Sequence, residues 1–189
     1  MNKTEYSKSY WNPSNWLCIA ERNKFSSSIL YNELEIMICR FDLLNPNEEE
    51  NFISICYSYF LLVGISLENL TKGLIISKCV DYDEQQKLVN EKKYNWNKSH
   101  HIFKMIESNF RKLNEGEENF ILKVEKYLRW LGKYHLPMNP NEEIINNLLN
   151  SKDKYNFETI YDEMRIMLLD NWNKNEIHYK KWFERFNNQ

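Results

Sequence analysis

A chain of 189 residues, 42% hydrophobic and 28% charged, has the mixture of a folded globular protein and excludes a disordered or fibrous one. Its formal net charge of −2 excludes a global basic field, so any nucleic-acid binding must rest on a local patch. This length permits a core without disulfide or metal staples and suits a single domain over 1–189.

Only four glycines and four prolines interrupt the chain, which argues for long helices rather than a many-turned β protein. The opening "MNKTEYSKSYWNPSN" is polar and does not read as a signal peptide. Pro13, Ser14 and Asn15 read as a helix start, followed by Ile29, Leu30, Leu34, Met37 and Phe41 at helical steps. Asn45-Pro46-Asn47 closes this segment and predicts a first helix near 14–44. A second helix is predicted near 47–79, with acids in its first turn where they suit the helix dipole. Its apolar stripe runs Phe52, Cys56, Tyr59, Val63, Leu67, Leu70, Leu74. The short loop between the two makes them antiparallel neighbours. The longest apolar run, "FISICYSYFLLVGIS", is 15 residues and holds serines and tyrosines, which reads as too short and too polar to span a bilayer.

Residues 80–98 are polar and mixed in charge, and read as a loop with at most one short helix. Ser99 is predicted to cap "HHIFKMIESNF". Gly116 is the expected break before "EENFILKVEKYLRWL", which places Phe120, Val124, Tyr127, Leu128 and Leu131 on one side. Gly132 and Pro137 are its expected end, and Pro140 opens a short "NEEIINNLLN". The tail reads as one long amphipathic helix over about 155–187, either continuous or broken near Asn173. The sum is an all-α bundle of four main helices with short additions, its core over about 14–140.

Cys18, Cys39, Cys56 and Cys79 lie far apart with no CxxC, so no zinc site is expected. Each sits in an apolar helical stretch, which predicts buried free thiols and a reducing cytoplasm. His100 and His101 are adjacent and point about 100° apart on a helix, so they read as capping or packing groups rather than metal ligands. His178 reads as a surface residue. Glu68 and Lys72 have the spacing of a helical ion pair, either solvated or facing a cleft in the bundle. The tail interleaves Lys174, Lys180, Lys181 and Arg185 with Trp172, Tyr179, Trp182 and Phe186. Its aromatic steps favour docking on the bundle; the other reading is stacking on single-stranded nucleic acid.

The stretch "YLRWLGKYHLP" carries the sharpest chemistry. Arg129 and His135 are six apart, which on a continuous helix leaves them about 120° apart. Gly132 favours a helix end and Leu136 precedes a proline, so the chain can curl and bring His135 toward Arg129. A histidine can move the proton of a 2′-hydroxyl or of a leaving oxygen, and an arginine can stabilise charge on a phosphate. Six arginines and four histidines make the spacing alone a weak signal, so its context matters.

In that context "GISLENLTKGLII", "KSHHIFKMI" and "YLRWLGKYHLP" together resemble the HEPN superfamily of small helical proteins, over about residues 55–140. The resemblance implies a four- to five-helix up-and-down bundle, usually a homodimer. It also implies a metal-independent endoribonuclease without cofactors, whose R-x4-6-H motif falls on Arg129 and His135. Lys133, Tyr134, Glu68 and Lys72 are the accompanying candidates for holding single-stranded RNA. By analogy with the family, the chain would be a toxin or host-defence effector in the cytoplasm, with an antitoxin or nucleotidyltransferase partner and no membrane association. Trp130 stands where active members carry a polar residue, and "GKYH" is similar to the Gly-Arg-Tyr-Pro ending of a non-catalytic branch. The alternative reading is therefore a non-catalytic binding module that holds RNA or a protein partner.

Overall fold

The computed structural model describes residues 12–79, 84, 101–131 and 149–187. Among these the protein is all-α, with five α-helices and no strand. They are α1 (Pro13–Ile38), α2 (Pro46–Ser77), α3 (Ile102–Asn109), α4 (Glu115–Lys126) and α5 (Asp153–Asn187). A 3₁₀ turn at Phe41–Leu43 joins α1 to α2, and a π-helical turn at Tyr127–Leu131 extends α4.

Asparagines start three of the helices. The Asn12 carboxamide oxygen accepts from the Ser14 N–H at 3.0 Å, with Pro13 in the first turn. Asn45 accepts from the Glu48 N–H at 3.1 Å while the Glu48 carboxylate accepts from the Asn45 N–H at 3.0 Å, a reciprocal capping box. Asn114 and Glu117 repeat that arrangement on α4. Gly116 is therefore inside α4 rather than the break before it, because the cap at Asn114 begins the helix two residues earlier. The α3 cap position is His101, whose side chain makes no capping bond. Ser99, expected there, lies outside the described residues, as do 80–83, 85–98, Gly132 and the segment from Pro137 through Pro140.

The expected α2 stripe is buried at every position from Phe52 to Leu74. The α1 stripe is offset from expectation. Leu34 and Met37 are buried, but Ile29 and Phe41 are exposed, and Leu17, Ala20, Ser27 and Tyr31 complete the inward face. That helix also stops at Ile38, earlier than 44, because the 3₁₀ turn takes up the apolar Phe41 and Leu43.

Contacts fix the directions. Phe41 meets Phe52, Tyr31 meets Tyr59, and the Ser66 hydroxyl donates to the Ala20 carbonyl at 2.8 Å. Numbers rise along one helix as they fall along the other, so α1 and α2 are antiparallel. Lys154–Glu35, Lys24–Asp162 and Arg165–Glu21 set α5 antiparallel to α1 in the same way. The α5 helix is continuous through Asn173, the unbroken one of the two readings open in the sequence. Its asparagines there are useful to the fold: Asn175 donates to the Ser77 carbonyl at 3.0 Å and Asn171 to the Ser77 hydroxyl at 3.4 Å. They bind the C-terminal end of α2, where helix carbonyls lack intrahelical donors. The Arg111 guanidinium grips Glu117 and Glu163 together, which holds Glu117 below the usual carboxylate range and ties α4 to α5.

Cys56 and Cys79 are buried free thiols, whereas Cys18 and Cys39 are exposed, because they fall on the outward side and at the end of α1. Burial pushes the Cys56 thiol up to about 12. The Tyr59 and Tyr161 hydroxyls are buried without a partner among the described residues, and burial pushes both phenols well up. The most apolar 18 residues of α2 have a mean hydropathy of 1.4, enough by length and composition to cross a bilayer. Half of that window is buried against the rest of the protein, as in a core helix. The run of 15 seen in the sequence is shorter than this, because the helix adds apolar residues beyond it.

Two glycines let α2 be approached closely. A Cβ on Gly73 would lie 2.8 Å from Leu168 Cδ1 and 3.0 Å from Trp16 Cβ. A Cβ on Gly64 would lie 2.4 Å from Leu128 Cγ and 2.9 Å from both of its methyls. Replacing a helical glycine by alanine gains about 1 kcal/mol in propensity. At Gly64 the clash should outweigh that, with a net loss of about 1–3 kcal/mol in urea unfolding of Gly64→Ala. The loss should be smaller when Leu128→Ala is already present, and equal losses in the two backgrounds would show that the close approach does not limit the site.

Candidate functional site

Arg129 lies in the π-helical turn after α4. A turn of this kind adds a residue to the helical repeat and is common at functional sites. Its neighbours anchor it to α2. Tyr127 is buried and stacks on Phe60 at 4.6 Å between ring centroids, and Leu128 fills the space over Gly64. With both inward positions occupied, Arg129 is left on the outer side, 39% exposed.

The guanidinium does not stand free. Arg129 Nη2 donates to Glu125 Oε2 at 2.5 Å, one turn back along the helix. The Glu125 side chain is only 4% exposed. Its other oxygen, Oε1, accepts from the Phe103 N–H at 2.7 Å, in the first turn of α3. Glu125 therefore performs the capping that the His101 side chain does not. His101 lies on the same carboxylate, with Nδ1 3.9 Å from Oε2, and is 49% exposed. An acid so deeply buried requires partners, and it has two well-made ones.

Lys133, Tyr134 and His135, expected beside Arg129, lie outside the described residues, as does the Trp130 side chain. Glu68 and Lys72 are brought together. Lys72 Nζ donates to Glu68 Oε1 at 2.6 Å, and both side chains are about nine-tenths buried, at 10% and 11% exposure. Of the two readings open in the sequence, a solvated pair is the one the burial removes. The ammonium sits 5.4 Å from the Trp16 ring centroid, which places the pair where α1 begins against α2. Trp172 in the tail is half-buried, and the side chains of His178, Tyr179, Lys180, Lys181, Trp182, Arg185 and Phe186 lie outside the described set. An open groove of about 400 Å³ between α1 and α2 is lined by Leu30, Glu33, Met37, Arg40, Asn51 and Ile55, none of them an expected site residue.

Glu125 and His101 are the site members that sequence reasoning missed. The signal for Glu125 was its position four before Arg129, the favourable order for a helical pair. His101 was read only as a capping or packing group at a helix start, because its approach to Glu125 spans two helices.

The Glu68–Lys72 pair makes an energetic prediction. Glu68→Leu leaves a buried ammonium without its carboxylate and should cost about 3–5 kcal/mol. Glu68→Leu with Lys72→Met removes both charges and should recover most of that loss. Chemical denaturation of both variants decides it, and a double variant no more stable than the single one would overturn the pairing argument. No family model matches this chain, and no curated protein or solved structure matches it.

Proposed function

We propose that this chain is a metal-independent endoribonuclease of the HEPN type. The observation that carries the reading is Arg129, set on the outer side of a π-helical turn and steadied by a buried carboxylate. A guanidinium fixed in this way can meet a scissile phosphate with little loss of side-chain freedom. His135 is assigned the proton transfers, with Lys133 and Tyr134 holding the RNA. Glu68 and Lys72, buried against each other, support α2 in this reading rather than touching substrate. A second copy of the chain would supply a second Arg129 and His135 to a shared groove. One histidine would then take the 2′-hydroxyl proton and the other protonate the departing 5′-oxygen. A cytoplasmic toxin or host-defence role, restrained by an antitoxin or nucleotidyltransferase partner and without membrane association, belongs to the same proposal.

The ion pair that steadies Arg129 also favours a second reading. A guanidinium neutralised by Glu125 suits a non-catalytic module in which the pair only fastens α3 to α4.

Cleavage of mixed single-stranded RNA in EDTA separates the two. Wild type should yield fragments ending in 2′,3′-cyclic phosphate, because the nucleophile lies within the substrate. Arg129→Ala and His135→Ala should each lose about 10²-fold or more, on the order of 3 kcal/mol in barrier. An inert wild type, or variants that cut equally well, would leave the binding-module reading. The homodimer is checked by light scattering, where a particle of twice the 23.1 kDa chain is expected and one of 23.1 kDa counts against it.

A further inference from the structure

Glu125 has more partners than a helix cap requires. Capping α3 needs one acceptor, and Oε1 supplies it to the Phe103 N–H. The second oxygen binds Arg129 and faces His101. Because the carboxylate serves the first turn of α3, the imidazole is released from capping and stays half exposed beside the guanidinium. One buried carboxylate thus gathers an arginine and a histidine from two helices at one surface.

We propose that His101 is a proton-transferring catalytic residue beside Arg129, with Glu125 as the positioning residue for both; this rests on the ribonuclease reading above. The roles follow from the atoms. Nδ1 lies 3.9 Å from Glu125 Oε2, beyond hydrogen-bond reach; a movement of about 1 Å would let Nδ1–H donate to the carboxylate and leave the Nε2 lone pair as the base. The arginine commits Nη2 to Glu125, and its remaining N–H groups can bind the non-bridging oxygens of a phosphodiester. In the cleavage step the 2′-oxygen bonds to phosphorus as its proton passes to His101 Nε2, which takes the base role in place of one of the two histidines assigned above. The bond from phosphorus to the 5′-oxygen breaks, and that oxygen takes its proton from the general acid assigned above. Water returns the proton held on His101 to that acid, so both groups end as they began. Substrate is a single strand carrying a 2′-hydroxyl, since a duplex would hold the attacking oxygen out of line.

The experiment follows cleavage of a labelled single-stranded RNA in EDTA by the full chain. Variants are His101→Ala, His101→Asn and Glu125→Gln, each checked for helix content by circular dichroism. Both His101 variants should lose about 10²-fold in kcat with the fold kept, because the replaced side chain makes no capping bond. Free imidazole in the buffer should restore part of the activity of His101→Ala but none of that of Arg129→Ala, which a merely structural role would not produce. Glu125→Gln keeps an oxygen for the Phe103 N–H and should lower kcat about tenfold with little change in KM. If wild type cuts and either folded His101 variant cuts as well, this inference falls and the Arg129–His135 reading stands. If wild type is inert, both fall together.

Discussion

The burial of α2 is the constraint on which the rest of the structure depends. From Val63 to Ser77 only Ile65 and Asn69 are more than slightly exposed. In a stretch enclosed on nearly all sides, a polar group is stable where it finds a partner inside the protein. The hydroxyls between Val63 and Ser77 do so at short range: Thr71 donates to the Leu67 carbonyl, Ser77 to the Leu74 carbonyl, and Ser66 across to Ala20 on α1. The two charges of this stretch, Glu68 and Lys72, answer each other. Its two glycines set how near the neighbours come, Gly73 for the start of α1 and for α5, Gly64 for the turn that follows α4. Tyr127 and Leu128 are drawn inward by that surface, and the direction of Arg129 is what remains.

How far this was legible depends on whether the deciding contact is local. The α2 stripe could be read because one face repeats at three and four, and burial then followed the letters. The α1 face could not be read from apolar letters alone, since Ser27 and Tyr31 are as much a part of it as Leu34. The end of α1 was misplaced because Phe41 and Leu43 continue the apolar pattern into a 3₁₀ turn, where both are exposed. The sequence left open whether the tail helix breaks near Asn173, because the partners of the neighbouring asparagines, on Ser77 of α2, are far away in the chain. Gly116 misled for the opposite reason: one capping box two residues before it overrode a weak helix former.

The site divides along the same line. Arg129 stood out because its surroundings are unusual within eleven consecutive residues. Glu68 and Lys72 have the spacing of many solvated pairs, and nothing in that spacing tells which face of α2 they occupy. Their burial is decided by packing between helices, as where Trp16 of α1 lies over the Lys72 ammonium. Glu125 has the same ambiguity. Its carboxylate is tied to α3 by a hydrogen bond across 22 residues.

That hydrogen bond has a mechanical consequence. The first turn of α3 and the Arg129 side chain share one anchor, so neither can be displaced without loading the other. A ligand that pulls the guanidinium outward must either break its bond to Glu125 or drag the start of α3 along with it. Conversely, anything that shifts α3 along its axis changes where the guanidinium points. The short helix is thus a lever on the arginine, and its eight residues are few enough to tilt as a rigid piece without unwinding.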